Sequence, residues 1–378
     1  MDVPFSRPAL RGDEGAAVAD VIASGWVSQG PRVREFEKAF AGAVGAAEAV
    51  ATSSCTAALQ LALHVSGVGP GDEVIVPSMS FIATANAVWQ CGATPVFADV
   101  DRCTFNLDPD AAEHAITPAT KAVMPVHQLG LPADMDRFLA LAEAHGVELV
   151  EDAACAIGAR YRSRRIGSLG PLTCFSLHPR KVITTGEGGV ITLQDPEVAG
   201  RLRSLRQHAM DVSDLARPSA REVVIESYPE RGWNYRMTDM QAALGLSQLE
   251  MLDEILAERR RLADRYTAAI ERIPFVEPPY EPGYATRTWQ SYAVTLADDA
   301  PVARRELMRR MLLDGVPTRR GVMAIHREAA YADAGVRLPS TDAASRSSLM
   351  LPLFAGLTDA QQDHVVDRLA AHLSAVPA

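Results

Sequence analysis

Thr173-Cys174-Phe175-Ser176-Leu177-His178-Pro179-Arg180-Lys181-Val182-Ile183-Thr184-Thr185-Gly186-Glu187-Gly188-Gly189 is the stretch from which the rest of the chain can be read. Cys174 to Leu177 has the apolar alternation of a strand, and His178-Pro179 breaks it. Gly186-Glu187-Gly188-Gly189 is a turn, and the β-branched Val190-Ile191-Thr192 opens a second strand. Lys181 is therefore fixed between two rigid elements. The chain has 37 basic side chains, of which only Lys38, Lys121 and Lys181 are lysines. Where arginine is so strongly preferred, a retained lysine points to a need that guanidinium cannot meet: an amine can lose its proton and attack a carbonyl. Lys38, interleaved with Glu35, Phe36, Glu37 and Phe40, reads as a solvated helix face, and Lys121 as the charged start of a strand. A surface lysine in a turn would look like Lys181 in isolation, so the surrounding sequence has to decide.

Outward from this stretch the chain repeats one unit of short apolar run, turn and amphipathic helix. Apolar runs lie at Ala49–Ala51, Val74–Val76, Thr94–Ala98, Ala122–Val126 and Val147–Val150. Helical periodicity covers residues 12–24 and 32–43, then Thr56–Val65, Ile82–Gln90 and Met135–Ala144. Strands alternating with helices predict crossover connections and a mostly parallel sheet covered on both faces. Ligands in such sheets gather where strands end. After the first run comes Thr52-Ser53-Ser54-Cys55-Thr56, a hydroxyl cluster opening a helix. It suits an anion, although an ordinary N-cap is the commoner meaning of such a cluster. Phe81 follows the second run and by itself reads as core. His127 follows the fourth and is equally readable as structural or functional. Asp152 follows the fifth, where a carboxylate needs a partner to be tolerated. A protonated pyridine nitrogen is such a partner. Anion cradle, carboxylate and lone lysine together form the constellation for pyridoxal phosphate.

Composition limits the alternatives. The chain has 378 residues, enough for two domains, and 48% of them are hydrophobic. A net charge of −10 disfavours nucleic-acid and anionic-membrane surfaces. No apolar stretch approaches a membrane span, and Met1-Asp2-Val3-Pro4-Phe5-Ser6-Arg7-Pro8 has no secretory pattern, so a cytoplasmic protein is expected. The five cysteines, Cys55, Cys91, Cys103, Cys155 and Cys174, have no metal spacing, and no metal is expected. No G-x-G-x-x-G follows the first strand and no G-x-S-x-G occurs, which disfavours a nicotinamide dehydrogenase and a serine hydrolase.

From Ser24-Gly25-Trp26-Val27-Ser28-Gln29-Gly30-Pro31 to Leu349–Thr358 the sequence resembles the DegT/DnrJ/EryC1/StrS sugar aminotransferases of fold type I. The resemblance is carried by Ala51–Leu59 (ATSSCTAAL), Gly71–Ala87 (GDEVIVPSMSFIATANA), His127–Asp136 (HQLGLPADMD), Val150–Ala159 (VEDAACAIGA), Cys174–Lys181 (CFSLHPRK), Gly186–Gly189 and Asn234–Ala243 (NYRMTDMQAA). It implies an α/β, fold type I transferase: a large domain, 1–250, built on a mostly parallel seven-stranded sheet flanked by helices, and a smaller α+β domain, 251–378. A helix over Leu252–Ile270, a proline-rich connector, a strand in Trp289–Leu296, a helix over Ala303–Leu313 and helical sequence at 359–374 suit the smaller domain.

The resemblance further implies that Lys181 makes the Schiff base with pyridoxal 5′-phosphate and that Asp152 keeps the ring nitrogen protonated. Ser54, Cys55, Thr56 and Ser176 would bind the phosphate, and Phe81 would stack on the ring. Asn234 would reach the phosphate site of a second subunit, making a homodimer with shared active sites. His178 would lie near the cofactor. Cys155 departs from the family, many of whose members have glutamine or histidine there to touch the ring hydroxyl. Ser28, Arg319, Arg320 and His326 are candidates for the substrate, against the plainer readings of a loop serine and surface cations. The expected reaction moves an amino group from an amino acid, L-glutamate first, to a keto-sugar by way of pyridoxamine phosphate. A nucleotide-linked 4-keto-6-deoxyhexose is the expected acceptor. Retention of Lys181 favours transamination over the deoxygenation of relatives that carry histidine there. The alternatives are a cyclitol or other specialised ketone as acceptor and a non-catalytic cofactor- or sugar-binding regulator.

Overall fold

The structure is a computed structural model, described here for residues 1–10, 12–212 and 225–374. In chain order, α1 (Glu14–Ser24), α2 (Pro31–Val44), β1 (Glu48–Thr52), α3 (Cys55–Val65), β2 (Glu73–Pro77), α4 (Ala83–Gln90) and β3 (Thr94–Ala98) come first. Then follow α5 (Pro109–His114), β4 (Thr120–Val123), α6 (Met135–His145), β5 (Glu148–Asp152), β6 (Arg160–Tyr161), β7 (Arg164–Arg165), β8 (Leu172–Ser176) and β9 (Gly189–Leu193). After α7 (Pro196–Leu205), α8 (Asp239–Glu250) and α9 (Leu252–Ile270) come β10 (Val276–Glu277), β11 (Ala285–Thr286), β12 (Tyr292–Leu296) and α10 (Arg304–Leu313). The chain ends with β13 (Arg319–Arg320), α11 (Pro339–Ser347), β14 (Ser348–Leu351) and α12 (Asp359–Ser374).

The seven-stranded sheet runs β1-β9-β8-β5-β4-β2-β3. It is parallel except at β9, which is antiparallel to both neighbours. The exception has a simple cause. A parallel return needs a crossover, usually through a helix packed on the sheet, and Leu177–Gly188 has no helix in it and folds back on itself, with Leu177 N bonded to Gly188 O. The β-strands β5, β8 and β9 are buried almost throughout, as a sheet covered on both faces requires. Phe36, Phe40 and Phe175 fill one side, with edge-to-face contacts from Phe40 to the other two. Leu59, Leu61 and Leu63 of α3 fill the other.

An antiparallel four-stranded sheet, β10-β12-β14-β13, has its own core of Leu262, Tyr266, Tyr292, Leu307 and Leu369. Val3 joins that core, and its N–H bonds Gly315 O at 2.9 Å. A small sheet, β11-β6-β7, links the segment around 160–165 to residues 285–286. Two local readings change. The fourth apolar run ends as a strand at Val123, because Pro125 has no N–H for a ladder, and only an isolated bridge joins Val126 to Asp152. Phe81, which by itself reads as core, is 65% exposed just before α4.

Candidate active site

Side chains alternate across a strand, so Glu151 and Asp152 at the end of β5 face opposite ways. Glu151 points into protein. It accepts from Thr173 Oγ1 at 2.7 Å and Gly170 N at 3.0 Å, and His127 Nε2 lies 2.8 Å from its Oε2. His127 Nδ1 accepts the Ala133 N–H at 3.0 Å, so Nε2 carries the ring proton and donates it to Glu151. Both side chains are fully buried, which makes His127 a structural tie.

Asp152 faces the ends of the strands. Its Oδ1 accepts from Ala154 N at 3.1 Å and its Oδ2 from Thr84 Oγ1 at 2.8 Å. Ser80 Oγ lies 2.7 Å from Thr84 Oγ1, so the strand β2 exit and the first turn of α4 supply a hydroxyl relay to the carboxylate.

Lys181 sits in the β8–β9 loop, which is held at several points. Lys181 N bonds His178 O at 2.8 Å, and Arg180 N bonds His178 Nδ1 at 3.2 Å. Leu177 exchanges backbone bonds with Gly188 and Thr185, and Thr184 Oγ1 donates to Leu177 O at 2.8 Å. From the C-terminal part of the chain, Gln290 Nε2 donates to Arg180 O at 2.8 Å. Lys181 Nζ lies 3.1 Å from Cys155 Sγ, with Asp152 and Cys55 near enough to act on its charge. Burial is the largest influence and works against that charge, but Cys155, Cys55 and Asp152 together reverse it, so Lys181 is held above the ordinary lysine range. Cys55 is pushed well up, first by burial and then by Asp152, and stays a neutral thiol. His178 is lowered, chiefly by burial and further by Arg180 and Lys181.

Ser54 is the N-cap of α3 and accepts from Ala57 N at 3.2 Å. The N–H groups of Cys55 and Thr56 are among those a helix start leaves without an internal partner. Strand β9 presses directly on this turn: a Cβ on Gly189 would stand 2.4 Å from Ser54 O. Ser176, opposite Gly189 in the register, accepts from His178 N at 3.4 Å. Ser53 N bonds Tyr235 O at 2.8 Å, which sets exposed Asn234 beside the same turn, and Asn234 bridges Gln207.

The remaining substrate candidates are held elsewhere. Ser28 is exposed, and its carbonyl accepts from Asp239 N at 2.9 Å. Arg319 lies over the Phe5 ring at 5.0 Å, and Arg320 pairs with Glu328 at 2.9 Å. His326 is buried, with Nδ1 2.6 Å from Ser78 Oγ and Nε2 3.3 Å from Asp342 Oδ1, and so ties the C-terminal segment to the exit of β2. Sequence reading missed Thr84, a hydroxyl in the Ile82–Ala87 piece. It also missed Thr288, whose Oγ1 donates to Cys155 O at 2.9 Å and orients the loop carrying the thiol.

The donor set suits pyridoxal phosphate. An amine stands beside a buried carboxyl group that accepts two hydrogen bonds, and next to them is a helix start so close to β9 that only glycine fits. Among the described residues no cluster of His, Cys, Asp or Glu could hold a metal ion, and no helix is long and apolar enough to cross a membrane.

Comparison with known proteins agrees. The DegT/DnrJ/EryC1/StrS aminotransferase family matches residues 8–370. GDP-perosamine synthase of Caulobacter vibrioides is 41% identical over 97% of this chain and 97% of its own. Spore coat polysaccharide biosynthesis protein SpsC of Bacillus subtilis is 39% identical, covering 97% of this chain and 95% of its own. Among solved structures, DesV of S. venezuelae in complex with a ketimine intermediate is 36% identical, with a TM-score of 0.91 and full coverage of both chains.

Proposed function

The chain belongs to the DegT/DnrJ/EryC1/StrS aminotransferase family, and on that premise we propose that it moves an amino group from L-glutamate to a nucleotide-linked 4-keto-6-deoxyhexose. It is an aminotransferase dependent on pyridoxal phosphate. The acceptor class is supported by the relative named for GDP-perosamine, a nucleotide-linked amino sugar, at 41% identity.

The observation that carries the reading is the convergence of the Lys181 amine and the Asp152 carboxylate beside an open helix start. When bound, the cofactor supplies an electron-withdrawing ring that delocalises charge from the substrate's amino carbon. Asp152, oriented by the Thr84 hydroxyl and the Ala154 N–H, would hold the proton on the ring nitrogen. Lys181 Nζ would hold the cofactor's aldehyde carbon and, once displaced, carry the proton to and from the substrate carbon as general base. The first-turn N–H groups of α3, with Ser54, Cys55, Thr56 and Ser176, would bind the phosphate. Phe81, exposed at the mouth, would stack on the ring, and Cys155 and His178 would line it. Asn234, exposed beside the helix start, would serve the site of a second copy of the chain. A homodimer in the cytoplasm follows from that reading. The division into 1–250 and 251–378 belongs to the same proposal, supported by the separate core under the four-stranded sheet.

The test is to incubate the protein with pyridoxal phosphate, L-glutamate and 4-keto-6-deoxyhexoses linked to GDP, UDP or dTDP, and to look for the amino sugar by mass. An aminated sugar from one nucleotide series supports the reading. A protein that converts glutamate to its keto acid yet aminates none of the three would move the acceptor to cyclitols or other ketones.

A further inference from the structure

Lys181 and Cys155 come from different loops, the first after β8 and the second after β5, and meet with Nζ 3.1 Å from Sγ. Both loops are fixed. Thr288 and Gly130 clamp the Cys155 carbonyl, since a Cβ on Gly130 would stand 2.9 Å from it. Gln290 holds the loop of Lys181 through Arg180 O. The contact is therefore built by the fold.

The other titratable groups around the amine are Asp152 on β5, Cys55 at the start of α3 and His178 on the amine's own loop. Cys55, its thiol pushed well up by burial, favours the charged amine less than Cys155 does. Both Asp152 oxygens already accept hydrogen bonds from Thr84 and Ala154. His178 is disfavoured as a cation by burial and gives the amine nothing to donate to. Cys155 is left as the group to which the amine donates, and with Cys55 and Asp152 it favours the charged amine against burial. An ammonium has no lone pair and cannot attack a carbonyl.

We infer that Cys155 is a positioning residue that holds Lys181 as its ammonium in the cofactor-free protein, so that breaking this contact gates the uptake of cofactor. The inference rests on the functional reading above for the identity of the cofactor, but not for the contact itself. Uptake balances simply. The Nζ proton passes to solvent, the freed lone pair bonds the aldehyde carbon, and the aldehyde oxygen leaves as water. Because the first of these steps is acid–base, its rate climbs with pH until the amine is neutral. Removing Cys155 leaves burial to act with less opposition and moves the climb to lower pH.

Two measurements test this on the cofactor-free full chain, comparing wild type with Cys155→Ala and Cys155→Ser. The first follows the rate at which visible absorbance appears after adding pyridoxal phosphate, across pH. At fixed near-neutral pH, Cys155→Ala is expected to take up cofactor about tenfold faster, its profile displaced about one pH unit downward. Cys155→Ser, which keeps a hydrogen-bonding atom at that position, should move the same way by less. The second uses no cofactor: trace acetic anhydride labels amines across pH, and Lys181 is read against exposed Lys38 by peptide mass. Lys181 should become reactive at lower pH in both variants, while Lys38 stays unchanged. Superimposed Lys181 profiles would overturn the inference, and either folded variant is enough to decide. A shift on acetylation in the variants, beside a wild-type protein that never colours with pyridoxal phosphate, would defeat the functional reading and leave the Lys181–Cys155 contact standing.

Discussion

Thr84 Oγ1 donates a 2.8 Å hydrogen bond to Asp152 Oδ2, and Ser80 Oγ lies 2.7 Å behind it. The carboxylate that is to face the cofactor is thus held from the first turn of α4, by a residue that itself would touch neither cofactor nor substrate. Thr84→Val keeps the shape and removes the donor. A hydrogen bond to a charged group contributes about 1.5–3 kcal/mol, so cofactor affinity should fall on the order of ten- to a hundredfold. Titration of visible absorbance with pyridoxal phosphate measures this. Unchanged affinity would mean that Asp152 does not depend on Thr84.

Gly189 is where β9 meets the turn that opens α3. A Cβ there would approach Ser54 O, Ser54 C and Cys55 N at 2.4, 2.5 and 2.6 Å, all of them backbone atoms that cannot rotate away. Gly189→Ala should destabilise the protein by about 1–3 kcal/mol and push the helix start out of place, with cofactor binding weakened more than stability alone explains. Denaturant midpoints with and without cofactor separate the two effects. A variant with both values intact would contradict the close approach.

The His127–Glu151 pair makes a stability prediction free of catalysis. Both side chains are fully buried, and Glu151 also accepts from Thr173 and Gly170. His127→Leu removes one donor to a buried carboxyl group, a loss of about 1–3 kcal/mol. Urea unfolding of the cofactor-free protein reads it directly. A loss well under 1 kcal/mol would show that water or a rearranged neighbour replaces the imidazole.

His326 sets a pH dependence. Burial lowers it from the ordinary value of 6.5, against the opposing pull of Asp342. The unfolded chain then binds more protons than the folded one below about pH 6.5, so stability is full above that value and declines as pH falls toward the folded pKa. In His326→Gln this part of the decline should shrink, giving a flatter plot of urea midpoint against pH between about 7 and 5.5. Parallel plots for the two proteins would assign the decline elsewhere, with His178 and His64, both also lowered chiefly by burial, the next to examine.

The repeating strand–helix unit was legible because each apolar run is bounded by turn residues, and Lys181 because the strand–turn–strand reading of Thr173–Gly189 needs only local rules. Leu252–Ile270 forms the helix its periodicity predicts. The antiparallel turn of β9 was not read out, although it follows from the helix-free loop before it. Phe81 was misread in isolation because an aromatic after a strand has the same local pattern whether it ends inside or outside. His127 and Glu151 lie far apart in sequence, so nothing local revealed their pairing. Thr84 and Thr288 escaped for the same reason: their partners, Asp152 and Cys155, come from other parts of the chain, and a lone hydroxyl carries no signature. The Cys155 substitution was visible, but its contact with Lys181 required the packing of two separate loops.

The most direct test of the central claim is reduction of the pyridoxal phosphate-treated protein with borohydride, followed by digestion and peptide mass mapping. The account predicts a yellow protein, bleached by L-glutamate, with the reduced cofactor attached to the peptide containing Lys181. Attachment at Lys38 or Lys121, or no stable attachment at all, would contradict it.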